Sequence, residues 1–341
     1  MKNAIFRIII AVAALVPALT AAAADNDVAV WITIGQSNAD GSAFADPRID
    51  SAMSRWYEAN AVSGTAPMKI WYRSTQVVAV DSNALGEAAR WVRDGDVTDA
   101  PAGWMDLWYR NENSRNRTAM NMIHDYGTYS TGPGERSAQN RRGMEGEFGR
   151  VFHEAFPDTE LYVIKLGVSG SQISTWANEA DDTNWRYFMD KMYGPAMQSI
   201  LAQGKKPRLA GIWWMQGCAD AHCTKEYYEQ SLRRLIGRCR TELGFPEAKF
   251  YIGYIVKPGE TSLTPSGSAQ YGEGVRQAQD AVAATTEGVE IIDTRRCTLQ
   301  HEPGLGGYVH FDHAGINAIG RILARRAIAG GINSWAPYVA P

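Results

Sequence analysis

Four residues stand where this sequence could do chemistry: Ser37, Gly170, Gln216 and His310. The apolar run Val28 to Ile34 stops abruptly at Gly35-Gln36-Ser37-Asn38. Leu161 to Leu166 stops at Gly167-Val168-Ser169-Gly170-Ser171, and Leu209 to Met215 stops at Gln216-Gly217-Cys218-Ala219-Asp220. His310 lies in the loop before the last helical pattern. A serine hydroxyl is a weak nucleophile until a neighbouring histidine takes its proton. Acyl transfer to it creates an oxyanion, which needs fixed N–H donors. The Ser37 and Gly170 backbone N–H groups and the Gln216 amide are of the right kind. Each piece also has a plainer use. Ser37 could cap a helix, Gly170 could be an ordinary turn glycine, Gln216 could serve local backbone, and His310 is one of six histidines. Their order on successive strand ends favours the chemical reading.

The elements that must position them are an alternation of strands and helices. Strands are expected at Val28–Ile34, Leu161–Leu166, Leu209–Met215, Phe250–Val256 and Val289–Asp293. Helical patterns run from Glu145 to Ala155, Trp185 to Gln203, Tyr227 to Leu243, Gly272 to Thr285 and Ala314 to Ala329. Continuous apolar strands alternating with helices predict a parallel sheet covered on both faces. Ligands then bind at the carboxyl ends of the strands, where the glycine turns lie. The fold class expected is a three-layer α/β/α sandwich with a roughly five-stranded parallel sheet. Residues 45–142 form a long insertion after the first strand, polar and tryptophan-rich, with β-like stretches at Lys69–Tyr72 and Gln76–Val80. A lid, a substrate-binding elaboration or a stabilising cap would each account for it.

Composition sets the boundaries. The chain has 341 residues, 45% apolar and 21% charged, and so can build a sizeable core. A formal net charge of −3 gives no basis for a nucleic-acid partner. Residues 1–24 read as a signal peptide: Lys2 and Arg7, the short apolar core Ile8–Val16, Pro17, then Ala22-Ala23-Ala24. No membrane span is expected, and residues 25–341 read as one exported domain. Eleven tryptophans and fifteen tyrosines are many; core packing accounts for most of them, and the rest could form a surface that stacks on sugars. Four cysteines in an exported chain allow three pairings, of which Cys218–Cys223 and Cys239–Cys297 are the ones expected. No C-x-x-C pair accompanies them, so no zinc site is expected.

The chain resembles the SGNH hydrolase superfamily, and within it the carbohydrate-esterase branch of family 6 acetylxylan esterases and sialate O-acetylesterases. The blocks that carry the resemblance are Gly35-Gln36-Ser37-Asn38 with Gly41; Gly143-Met144-Glu145 with Gly170-Ser171-Gln172-Ile173-Ser174-Thr175-Trp176; Trp213-Trp214-Met215-Gln216-Gly217 with Asp220-Ala221; and Val309-His310-Phe311-Asp312 with Gly315. They span nearly the whole mature chain in family order. The resemblance implies a flavodoxin-like SGNH fold, Ser37 as nucleophile and His310 as general base. It also implies an oxyanion hole of Ser37, Gly170 and Gln216, with Asn38 bracing the turn. The reaction implied is removal of an acetyl group from a glycan through an acetyl-serine, with no metal or cofactor. An acetylated polysaccharide or sugar is the implied partner.

Two positions depart from the family pattern. Gly307 stands where an aspartate three residues before the histidine is usual, and Cys218 stands where a glutamate often follows Gln-Gly. An acid normally fixes the histidine tautomer. Glu302 and Asp312 are the replacements within reach in sequence, and a backbone carbonyl holding the ring is the third possibility. Asp312, just before the last helix, also reads as its N-cap. A carbohydrate-binding homologue without turnover, and a sialate-specific or other short-chain esterase, are the alternative functions.

Overall fold

The computed structural model describes residues 26–44, 46–62, 67–72, 104–106, 141–168, 170–257, 259–260, 272–302 and 307–341. Residues 1–24, expected to be a signal peptide, most of the insertion and Ser169 lie outside them. The chain order is β1 (Asp27–Gly35), α1 (Ser37–Asp40), β2 (Ala43–Phe44), α2 (Pro47–Ala59), β3 (Met68–Tyr72), β4 (Met105–Asp106), β5 (Arg141–Arg142), α3 (Glu145–Ala155) and β6 (Leu161–Gly167). It continues through α4 (Ser174–Ala177), α5 (Thr183–Tyr187), a π-helical segment Phe188–Tyr193, α6 (Gly194–Ala202), β7 (Lys206–Met215), α7 (Lys225–Thr241), β8 (Phe250–Gly253), α8 (Glu273–Thr285) and β9 (Val289–Ile292). The hairpin β10 (Leu299–Glu302) and β11 (Gly307–Phe311), then α9 (His313–Ile328) and β12 (Ala336–Pro337), complete it.

The main sheet has the order β4-β3-β6-β1-β7-β8-β9, with β12 pairing antiparallel to the start of β7. From β3 to β9 every neighbouring pair is parallel. β1 and β6 are buried almost end to end, as strands covered on both faces must be. The chain runs from β1 out to β3, returns to β6 and then crosses β1 to reach β7. α3 packs on α9 and α7 packs on α8, and Phe148 of α3 lies against Trp31 of β1 while Trp176 of α4 lies against Trp214 of β7. The fold is the expected α/β/α sandwich.

Three expectations change. The parallel sheet has six strands rather than about five, because the insertion contributes β3, paired to β6 in register Ile70↔Val163. The start of the same region holds helix α2, with Asp46 as N-cap accepting from the Arg48 N–H and Pro47 in the first turn. The four cysteines are free thiols. Cys239 is on α7, and Cys297 lies between β9 and β10. The Cys223 thiol is turned toward Asp220 Oδ1 at 3.5 Å instead of Cys218. No helix among the described residues is long and apolar enough to cross a membrane.

Candidate active site

The ladder registers bring the glycine turns side by side. Gly35 pairs with Gly167 on one flank and Met215 on the other, so the ends of β1, β6 and β7 form one edge. Gly35 has φ +142°, and a Cβ there would stand 2.3 Å from the Met215 carbonyl oxygen. No other residue lets the chain turn that tightly against β7. Gln36 locks the turn: its N–H donates to Met215 O at 2.9 Å, and its Oε1 accepts from Gly217 N–H at 3.0 Å. The N-cap of α1 is Gln36, not Ser37, and no side chain caps that helix. The Ser37 hydroxyl is thus released from capping. Its Oγ lies 2.7 Å from His310 Nε2, with Ser37 6% and His310 8% exposed.

His310 reaches that point through an irregular hairpin. Leu299 pairs with Phe311 and His301 with Tyr308, so two steps along β10 match three along β11. The extra residue is a bulge at Val309–His310, the device that re-aims a side chain beside a site. The hairpin hangs on the serine turn. Gln300 Nε2 donates to Ser42 O at 2.8 Å, Asn38 Nδ2 donates to Val309 O at 3.2 Å, and the Phe311 N–H donates to Asn38 Oδ1 at 3.1 Å. Asp312 is the N-cap of α9: its Oδ1 accepts from Gly315 N–H at 2.7 Å and from the Thr298 hydroxyl. Gly307 has φ +139°, a conformation that strains any residue with a side chain. Glu302 is its partner across the hairpin.

Gly170 and Gln216 follow the ends of β6 and β7, the strands on either side of β1. Neither the Ser37 nor the Gly170 backbone N–H donates to another described residue. The Gln216 side chain is fully buried and committed. Nε2 donates to Ser171 O at 3.0 Å and to Asp220 Oδ2, and Oε1 accepts from the Tyr228 hydroxyl at 2.8 Å. Asp220 also accepts from the Ile173 N–H at 2.8 Å, so it ties the Gln216 turn to the loop after Gly170. Burial pushes its pKa up. Sequence reasoning passed Asp220 by as part of a block; its spacing four residues after Gln216 was the available signal.

Two buried polar groups support the turn from below and beside. Lys165 on β6 and Glu145 at the start of α3 form an ion pair at 2.9 Å with both side chains out of water. His313, in the first turn of α9, accepts the Asp46 N–H on Nδ1 at 2.8 Å. Burial, with the Arg142 charge as a second cause, lowers its pKa to about 4.

A family model described as carbohydrate esterase, sialic acid-specific acetylesterase, matches residues 76–329. The matched segment holds Gly170, Gln216, Glu302 and His310 and begins after Ser37. Among solved structures, a protein of Arabidopsis thaliana aligns at 14% identity and TM-score 0.52, covering 89% of this chain and 98% of its own. NanS aligns at 12% identity and TM-score 0.51, again covering 89% and 98%. At these identities the likeness is one of fold. No curated protein sequence matches.

Proposed function

The chain belongs to the carbohydrate esterase family of sialic acid-specific acetylesterases, and from that premise we propose that it is an exported serine hydrolase that removes O-acetyl groups from a glycan. The observation that carries the serine mechanism is the 2.7 Å contact between Ser37 Oγ and His310 Nε2 at the strand-end edge. That distance is hydrogen-bond reach for a base and its nucleophile.

In the first half-reaction His310 Nε2 takes the hydroxyl proton while Ser37 Oγ bonds to the acetyl carbonyl carbon. The carbonyl electron pair moves onto oxygen, where the Ser37 and Gly170 N–H groups receive it. Gln216 becomes a third donor by exchanging the Ser171 carbonyl for the oxyanion. On collapse the bond to the sugar oxygen breaks, and the imidazolium returns its proton to that oxygen. The acetyl group stays on Ser37. Water then gives a proton to His310 and its oxygen to the acetyl carbon. The Ser37 ester bond breaks, Oγ recovers the proton, and acetate leaves.

Glu302 is the acid proposed to orient His310. Its register opposite Gly307 supports this, and Asp312 is already engaged as a helix cap. Signal-like residues 1–24 support export. The test is acetate release from acetylxylan and from O-acetyl sialic acid, measured side by side. Wild-type release abolished by Ser37→Ala is the expected result. Equal inactivity of both proteins on a broad ester panel would remove the hydrolase reading, and glycan binding without release would mark a binding homologue.

A further inference from the structure

The bond pattern around Asn38 is not what bracing its own turn would require. Its side-chain amide spends both functions on the other partner of the pair, the strand that carries His310. Nδ2 reaches Val309 O at 3.2 Å and Oδ1 accepts from Phe311 N–H at 3.1 Å, so the two bonds fall on either side of His310. On a strand, the carbonyl of one residue and the N–H two residues on point to the same edge. Among the described residues β11 pairs only with β10, in a two-stranded sheet, and so has a strand on one edge. Asn38 therefore occupies the other edge as a neighbouring strand would.

This placement matters because His310 sits in a bulge, where the ladder to β10 is broken. Asn38 is fixed by α1, is adjacent in sequence to Ser37, and is 3% exposed. We propose that Asn38 is the positioning residue for the general base: by clamping the peptide groups on both sides of His310, it sets the imidazole against the Ser37 hydroxyl. The proposal rests on the reading of Ser37 and His310 as nucleophile and base.

The clamp needs a donor and an acceptor on one short planar group. Asn38→Ala removes both. Asn38→Asp keeps the acceptor for Phe311 N–H, loses the donor, and puts a carboxylate against the Val309 carbonyl. A misplacement of a reacting group on the scale of an ångström costs on the order of 10²-fold in rate.

The experiment uses the full mature chain with 4-nitrophenyl acetate. Reactive serine is counted with a fluorophosphonate, so that kcat is expressed per titrated site. Asn38→Ala is expected to lose about 10²-fold in kcat per titrated site with KM within about 2-fold, and Asn38→Asp to fall between it and wild type. The pH dependence of kcat should flatten in Asn38→Ala, because rate no longer follows a well-placed base. A merely structural role would lower the titrated fraction and leave kcat per site unchanged, and that result, in either variant, overturns the proposal. Inactive wild type, or an active Ser37→Ala, overturns the underlying reading instead. Should Asn38→Ala fail to fold, Asn38→Asp decides alone, with wild-type kcat per site as the overturning result.

Discussion

Glu302 stands directly across the β10–β11 hairpin from Gly307. Gly307 holds φ +139°, so an aspartate there would strain the backbone. With Gly307 in that conformation, the acid role proposed above falls to Glu302, its register partner on the opposite strand.

Glu302→Gln should accordingly lower kcat/KM at pH 7 by on the order of 10²- to 10⁴-fold, because the histidine tautomer loses its orienting charge. The double variant Glu302→Gln with Gly307→Asp should not recover that activity, and Gly307→Asp alone should destabilise the fold by about 1–3 kcal/mol. Steady-state kinetics and denaturant melts check both. Wild-type kcat/KM in Glu302→Gln would return the acid role to a backbone carbonyl.

The Lys165–Glu145 pair gives a different kind of variant. Removing one partner of a buried ion pair leaves the other charge without compensation, a loss of about 3–5 kcal/mol. Lys165→Met should show that drop in a urea titration, and Lys165→Met with Glu145→Leu should regain much of it. Activity per folded molecule should change far less than stability, since neither group touches the Ser37 hydroxyl.

His313 couples stability to pH. Its folded pKa is about 4, against 6.5 for the ordinary side chain. Between those values the unfolded chain binds a proton that the folded chain refuses. Stability is therefore complete above about pH 6.5 and is lost as pH falls toward about 4, by about 3 kcal/mol in all. His313→Gln should flatten the dependence of melting temperature on pH across this window, with Asp46 and Arg142 as the neighbouring charges left unchanged. A slope equal to that of the wild type would assign the acid sensitivity elsewhere.

Much of the architecture was legible because the central strands are apolar on both faces and end at glycines. All five strands anticipated from the sequence are present, and Asp312 caps α9 as its place before an apolar-periodic segment indicates. What escaped depends on partners distant in sequence. Lys69–Tyr72 reads as a weak strand in a polar region, and only pairing with β6 makes it part of the sheet. The bulge that aims His310 is a mismatch between two strands, a property neither strand has alone. Cysteine parity pointed to two disulfides, yet parity carries no information about which face of a sheet each thiol occupies. The bond from Gln216 to the Ser171 carbonyl is likewise a product of packing, since the two residues are 45 apart in sequence and follow different strands.

The pairing of β3 with β6 bears on how this molecule could be remodelled. A long segment between two blocks that carry the site invites exchange with the equivalent segment of another esterase, as a cassette that retunes substrate choice. Here the segment runs through the sheet before it returns to α3. A graft that omitted Met68–Tyr72 would leave the backbone of β6 as a bare hydrophobic border, open to pairing with other molecules. Successful chimeras would have to carry that strand across intact and join the new sequence after Tyr72, so the natural seam for exchange lies inside the insertion and not at its ends.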